Sequence, residues 1–392
     1  MSIAEEMRAH LEEKLLPFWK NLKDNENGGY YGFMDADGKL DRQAVKGCIL
    51  NSRILWFFSS AWMALQDPGL KEYADHAYLF LKEHCLDRER GGVYWSVTWD
   101  GKPEDTTKHT YNQAFAVYAL SCYYAASGCR EALELALELQ EVIEGKCFDQ
   151  YGYKEALDVD FQPADNDKLS ENGVMADRTM NTLLHVFEAY TELFRVSGNE
   201  AAAEKLRWMM DLIEDRIYNP VLHRQEVFFD NDMNSLIDLH SYGHDIETAW
   251  LVDRGVEVLG DPVYRAKMAS VTADLEQNVY ETAYSCHSLK NECERGVDDE
   301  WRIWWVQAES VVGFYNAWQK YPEKDYFREA ALDIWEFIKK YVVDSKEGGE
   351  WHWRVDENGR PDPEKPVVEP WKCPYHNGRM CMELMKRVKN PA

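Results

Sequence analysis

The chain has no Cys-x-x-Cys pair, and its nine cysteines, an odd number, are scattered from Cys48 to Cys381. That spacing excludes a disulfide framework and the usual zinc signatures, and predicts reduced thiols that mostly serve as small core residues. An apolar leader is missing too. The opening Met-Ser-Ile-Ala-Glu-Glu-Met-Arg is charged from the start, so no signal peptide is read and a cytoplasmic location is expected. No apolar run approaches the ~20 residues of a membrane span, so no membrane partner is expected. Positive charge is scarce: 44 Lys and Arg face 70 Asp and Glu, a formal charge of −26. Such a surface repels a duplex or an anionic bilayer, which argues against nucleic acid as a partner. A phosphate loop, a dinucleotide fingerprint and a Gly-x-Ser-x-Gly elbow are all absent, so no organic cofactor is called for.

Aromatic residues are abundant, with 15 Trp, 22 Tyr and 15 Phe in 392 residues. Sugar rings present C–H faces that stack on such side chains, so a carbohydrate site accounts for the excess. A rigid aromatic core accounts equally well for any single Trp.

A repeat orders the chain. Gly28-Gly29-Tyr30-Tyr31 leads into Asp37-Gly38, Gly91-Gly92-Val93-Tyr94-Trp95 into Asp100-Gly101, and Gly348-Gly349-Glu350-Trp351 into Asn358-Gly359. Each reads as a short aromatic strand, an Asx-Gly turn and a return. Between these hairpins, apolar residues recur at helical spacing, as in Leu50, Ile54, Phe57, Ala61 and Leu65. About twelve helices result, two in each of roughly six periods. With no Ser/Gly linker, residues 1–392 are expected to form one all-α domain, an (α/α)6 barrel with short β-hairpins in its loops.

Six stretches concentrate polar groups where helices begin. In Asp238–Arg254, read as a helix entered near Ser241, His244 and Glu247 stand three apart and share a helix face, so Glu247 is expected to support His244 as a general base. Arg53 opens an otherwise apolar helix; a fixed guanidinium there stabilises an oxyanion or completes a salt bridge. Tyr111 can donate to a sugar hydroxyl or simply pack. Asn181 and His185 lie four apart on one face. Trp304, Trp305 and Glu309 suit an aromatic platform with an anchoring acceptor. Trp371 and His376 flank Pro374, which fits the first turn of a helix. His240 and His244 have a ligand-like spacing, but no third ligand follows, so no metal is expected.

Together, His-Ser-Tyr-Gly-His-Asp-Ile-Glu, Trp-Trp-Val-Gln-Ala-Glu and Trp-Lys-Cys-Pro-Tyr-His-Asn-Gly-Arg resemble the N-acylglucosamine 2-epimerase superfamily over essentially the whole length. The resemblance implies an (α/α)6 barrel that epimerises a sugar without cofactor. It implies acid/base roles for His244 and His376, support from Glu247, and oxyanion binding by Arg53. It implies substrate contacts at Tyr111, Asn181 and His185, and aromatic platforms at Trp371 and at Trp304 or Trp305. The implied substrate is a β-1,4-linked disaccharide with glucose at its reducing end. An epimerase or isomerase for another sugar and a glycoside hydrolase on the same barrel are the alternatives; the hydrolase needs two carboxylates across the bond.

Overall fold

The computed structural model describes residues 2–165, 168 and 172–389. Among them, thirteen α-helices follow in order: α1 (Ile3–His10), α2 (Leu16–Asn21), α3 (Cys48–Leu65), α4 (Lys71–Phe80), α5 (Thr110–Ser127), α6 (Arg130–Val142), α7 (Met180–Ser197), α8 (Glu200–Leu212), α9 (Tyr242–Leu259), α10 (Pro262–Thr282), α11 (Trp304–Lys320), α12 (Asp325–Phe337) and α13 (Tyr375–Lys389). A π-helical turn, Leu11–Leu15, joins α1 to α2 in one continuous arm.

The packing closes on itself. α3, α5, α7, α9, α11 and α13 touch in that order, and α13 returns to α3. Outside this ring lie α4 on α3, α6 on α5, α8 on α7, α10 on α9, α12 on α11 and α1 on α13. This is the (α/α)6 barrel that the periodicity predicts. The sequence explains which helix goes where. α3 is buried without a break from Cys48 to Ser59, as suits a helix packed on both sides. In α6, buried Ala132, Leu135, Ala136 and Leu139 mark a single inward stripe.

One sequence expectation needs correcting here. α3 is long and apolar enough to cross a membrane by length and composition. Its position inside the ring, with neighbours on every side, accounts for that composition instead.

The hairpins stitch neighbouring periods together at one mouth. Lys46–Gly47 pairs with Ser96–Val97, and Arg178–Thr179 with Phe228–Phe229. Leu239–Ser241 pairs with Glu292–Glu294, and Arg302–Ile303 with Arg354–Val355. The chain entering an inner helix is thereby fixed to the hairpin of the next period. Asp-Gly turns form as predicted, for example between Phe33–Met34 and Leu40–Asp41. The aromatic runs are less strand-like than expected: Tyr30, Val93 and Trp351 each make a single bridge, to Lys23, Leu86 and Val343.

A buried cation repeats just ahead of an inner helix. Lys46 Nζ donates to Asp24 Oδ2 at 2.7 Å and to the Gly28 carbonyl at 2.7 Å. Lys108 Nζ does the same with Asp87 at 2.9 Å and Gly91 at 3.0 Å, and Lys372 pairs with Glu350. Each ion pair ties a helix entry to a hairpin root, in a place where an unpaired charge would be costly.

Candidate active site

The predicted site residues gather at the hairpin mouth because they occupy the first two turns of different inner helices. Arg53 comes from α3, Tyr111 from α5, Asn181 and His185 from α7, His244 and Glu247 from α9, Trp304 and Trp305 from α11, and His376 from α13. Together with Trp371, they line one open cleft of about 1110 Å³. Six helix N-termini therefore point toward it, and their partial positive charge favours an anion formed there.

His244 does not use the partner that spacing assigned. Its Nδ1 lies 2.7 Å from Ser241 Oγ, while Glu247 turns away to bond Arg379. The expected His244–Glu247 pair is therefore not formed. Ser241, immediately before α9, reaches the ring three residues on, and the buried guanidinium claims the carboxylate. A hydroxyl both donates and accepts, so Ser241 suits either tautomer of His244. Gly243 leaves room for the neighbouring indole: a Cβ there would lie 2.6 Å from Trp305.

His376 is held by a carboxylate. Its Nδ1 is 2.7 Å from Glu309 Oε1 and 3.9 Å from Glu247 Oε1. Glu309 also accepts from Arg379 Nη2 at 2.7 Å and from Trp250 Nε1 at 2.9 Å. It is fully buried and lines no part of the cleft. The expectation that Glu309 anchors substrate is thus corrected: it lies beneath His376 and orients it. His185 has its own carboxylate, with Nδ1 3.0 Å from Glu188 Oε2.

The two acid/base candidates share a neighbour. Trp305 lies 4.8 Å from the His244 ring and 5.5 Å from the His376 ring, centroid to centroid. The imidazoles are therefore at most about 10.3 Å apart, close enough for both to serve one hexose. Trp304 is buried against Trp353, so of the two indoles Trp305 is the more exposed platform.

Arg53 is buried and donates from Nη2 to Tyr111 Oη at 2.8 Å and from Nη1 to the Trp371 carbonyl at 3.4 Å. Its guanidinium lies 4.2 Å from the Phe115 ring and 4.9 Å from the Tyr375 ring. No carboxylate neutralises it in these contacts, so its charge remains available to a ligand.

Burial sets the protonation states. It pushes His244 down to about 3, helped by His185 and opposed by Glu309. Burial, then Arg379 and Arg53, hold His376 well below the ordinary histidine value. Both rings are neutral at pH 7. Burial and the neighbouring Glu309 push Glu247 up to about 8, against the pull of Arg379. Burial also raises Glu309, again opposed by Arg379.

Glu247, Glu309 and His376 bring three potential ligand atoms within 4.8 Å of one another. Arg379 is bonded to both carboxylates, so a cation is already in place there. His240, weighed as a ligand beside His244, instead faces Asp245 at 2.9 Å.

Sequence reasoning missed Ser241, Glu188 and Arg379. Glu188 and Arg379 each follow a site histidine by three residues, the same helical spacing that drew attention to Glu247.

A closed (α/α)6 barrel with two neutral imidazoles and an unneutralised arginine in one aromatic cleft defines a class: the barrel carbohydrate epimerases and isomerases. Within that class the chain belongs to the N-acylglucosamine 2-epimerase (GlcNAc 2-epimerase) family, whose sequence profile matches residues 29–378. It is 49% identical over 382 residues to a cellobiose 2-epimerase of Ruminococcus albus, covering 97% of this chain and 98% of that one. It is 50% identical to a cellobiose 2-epimerase of Eubacterium cellulosolvens, covering 96% of each. The crystal structure of a sugar epimerase from a ruminal bacterium superposes with a TM-score of 0.97 at 48% identity, covering 98% of this chain and 99% of that one.

Proposed function

We propose that this carbohydrate epimerase inverts C2 of the reducing-end glucose in β-1,4-linked disaccharides, within one catalytic domain spanning residues 1–392. Cellobiose becomes glucosyl-mannose, and lactose becomes epilactose. The observation that carries the reading is the pair of neutral imidazoles, from distant parts of the chain, that both lie against Trp305 in one cleft. The relatives named as cellobiose 2-epimerases support the choice of substrate. So does the lining of the cleft, which beyond the histidines includes Asn291, Asp299, Trp353 and Lys365, polar and aromatic groups suited to a second ring.

The pyranose opens first. The C1 hydroxyl loses its proton, the C1–O5 bond breaks and O5 is protonated, with His376 assisting. The resulting aldehyde acidifies the C2 proton. One neutral imidazole removes that proton, and the electron pair moves through C1 to O1, giving a cis-enediolate. Arg53 and the surrounding helix N-termini stabilise its charge; preorganised donors of this kind contribute roughly 3–4 kcal/mol each. A proton then returns to the opposite face of C2 from the other histidine's side, and the ring closes. Two histidines suit the task because each exchanges protons near neutral pH, contributing about 100- to 10,000-fold.

Proton NMR of cellobiose with the protein in deuterated water, with and without a chelator, tests the reading. The expected result is an intact disaccharide, a growing mannose-type reducing end, deuterium at C2 and no response to the chelator. Release of monosaccharides makes the protein a hydrolase. Faster turnover of N-acetylglucosamine or mannose than of cellobiose reassigns the substrate within the family.

A further inference from the structure

Three carboxylates surround one guanidinium below the cleft. Arg379, one turn beyond His376, is 2% exposed. Its Nη1 bonds Glu188 and the Tyr375 hydroxyl, and its Nη2 bonds Glu247 and Glu309. It does not line the cleft. Glu247 and Glu309 present their Oε1 atoms to the same Nη2 and to the same ring nitrogen, His376 Nδ1. Glu247 Oε2 is buried with no hydrogen-bond partner.

This geometry meets a difficulty in the chemistry. A neutral imidazole can remove the C2 proton, but to give one back it must gain a proton elsewhere. If Glu309 carries a proton, it donates to Nδ1 while Nε2–H goes to carbon. If Glu309 is ionised, it accepts from Nδ1 while Nε2 takes a proton from carbon. In both directions the ring starts and ends neutral, and the charge changes on the carboxylate.

We propose that Glu247 and Glu309, gathered on Arg379, share one proton and form a proton store behind His376, with Arg379 as the positioning residue that holds the pair at Nδ1. The proposal rests on the reading of His376 as an acid/base group. One guanidinium cannot neutralise three buried carboxylates, so a shared proton is the remaining way to reduce their repulsion. The upward displacement of both Glu247 and Glu309 agrees with this. His376 is faced by Glu309 from α11, Glu247 from α9, Glu188 and His185 from α7, Arg53 from α3 and Arg379 from its own helix.

The test compares Glu247→Gln and Arg379→Lys with the parent enzyme, following C2 deuterium uptake and epimer formation separately. Glu247→Gln keeps the shape and the bond to Arg379 but removes the second site for the proton. Removal of the C2 proton should continue while its return through His376 fails, so the ratio of deuterium uptake to epimer formation should rise at least tenfold. Arg379→Lys keeps the charge but cannot span the carboxylates; kcat should fall at least 30-fold with KM for cellobiose within threefold. A parent-like uptake ratio in Glu247→Gln, or parent-like kcat in Arg379→Lys, overturns the store. If Arg379→Lys does not fold, the uptake ratio in Glu247→Gln decides alone. His376→Ala separates the two levels: epimerisation that survives it removes the underlying acid/base reading, whatever the other variants do.

Discussion

Replacing Glu309 by Gln is the sharpest test of how His376 is held. The carboxylate meets three nitrogens: His376 Nδ1 at 2.7 Å, Arg379 Nη2 at 2.7 Å and Trp250 Nε1 at 2.9 Å. Gln has one acceptor and one donor end. With its NH₂ toward Trp250, two donors oppose each other. With its NH₂ toward His376, it opposes Arg379 and donates to Nδ1, which forces the proton onto Nε2 and blanks the base. Losing a hydrogen bond to a charged group costs about 1.5–3 kcal/mol, or roughly 10- to 150-fold. A histidine fixed in the wrong tautomer costs up to about 10,000-fold in other enzymes. The expected fall in kcat is therefore about 100- to 10,000-fold. KM should move less than about threefold, since uniform binding is untouched and Glu309 lines no part of the cleft. Initial rates of epimer formation, measured on protein whose circular dichroism matches the parent, read both constants. More than a third of parental kcat in Glu309→Gln would refute the claim that this carboxylate orients the ring.

Other outcomes follow from the same contacts. Arg53→Lys removes the fork that meets Tyr111 at 2.8 Å and should lower kcat about 100- to 1,000-fold, read as epimer formation with cellobiose. The Glu247–Glu309 pair holds one proton when folded at pH 7, Glu247 being pushed up to about 8 from an ordinary value of 4.5. The folded chain thus holds a proton that the unfolded chain releases. Stability should fall as pH rises from about 4.5 through 8, and Glu247→Gln should flatten that slope in a Tm-versus-pH series. Lys46→Met strands Asp24 beside a fully buried site and should cost about 3–5 kcal/mol in denaturant unfolding. Adding Asp24→Asn, which still accepts the Glu26 and Asn27 amides now bonded to Asp24, should recover more than half of it.

Much of the architecture is legible before folding because it is written in periodicity. Apolar spacing of three and four residues locates α3 within a residue at each end, and the Gly-Gly and Asp-Gly repeats count the periods. The positions of Arg53, Tyr111, His185, His244 and His376 in the first two turns also follow, since a polar residue near the start of an apolar helix has few places to go in a barrel. What periodicity cannot give is the choice of partner. His185–Glu188 and His244–Glu247 share one spacing, yet only the first pair forms. Arg379, over a hundred residues away, bonds both carboxylates, but Glu188 keeps its second oxygen on His185 while His244 turns to Ser241. Glu309 illustrates the same limit: helical spacing puts it one turn from Trp305, and only the closed ring puts it under His376.

The contact of α13 with both α1 and α3 has a consequence for synthesis. α13 carries His376 and closes the circle, so a nascent chain stays an open arc lacking one imidazole until that helix has been made. Activity and topological completion therefore arrive together, and fragments released early by premature termination will be inert toward sugar.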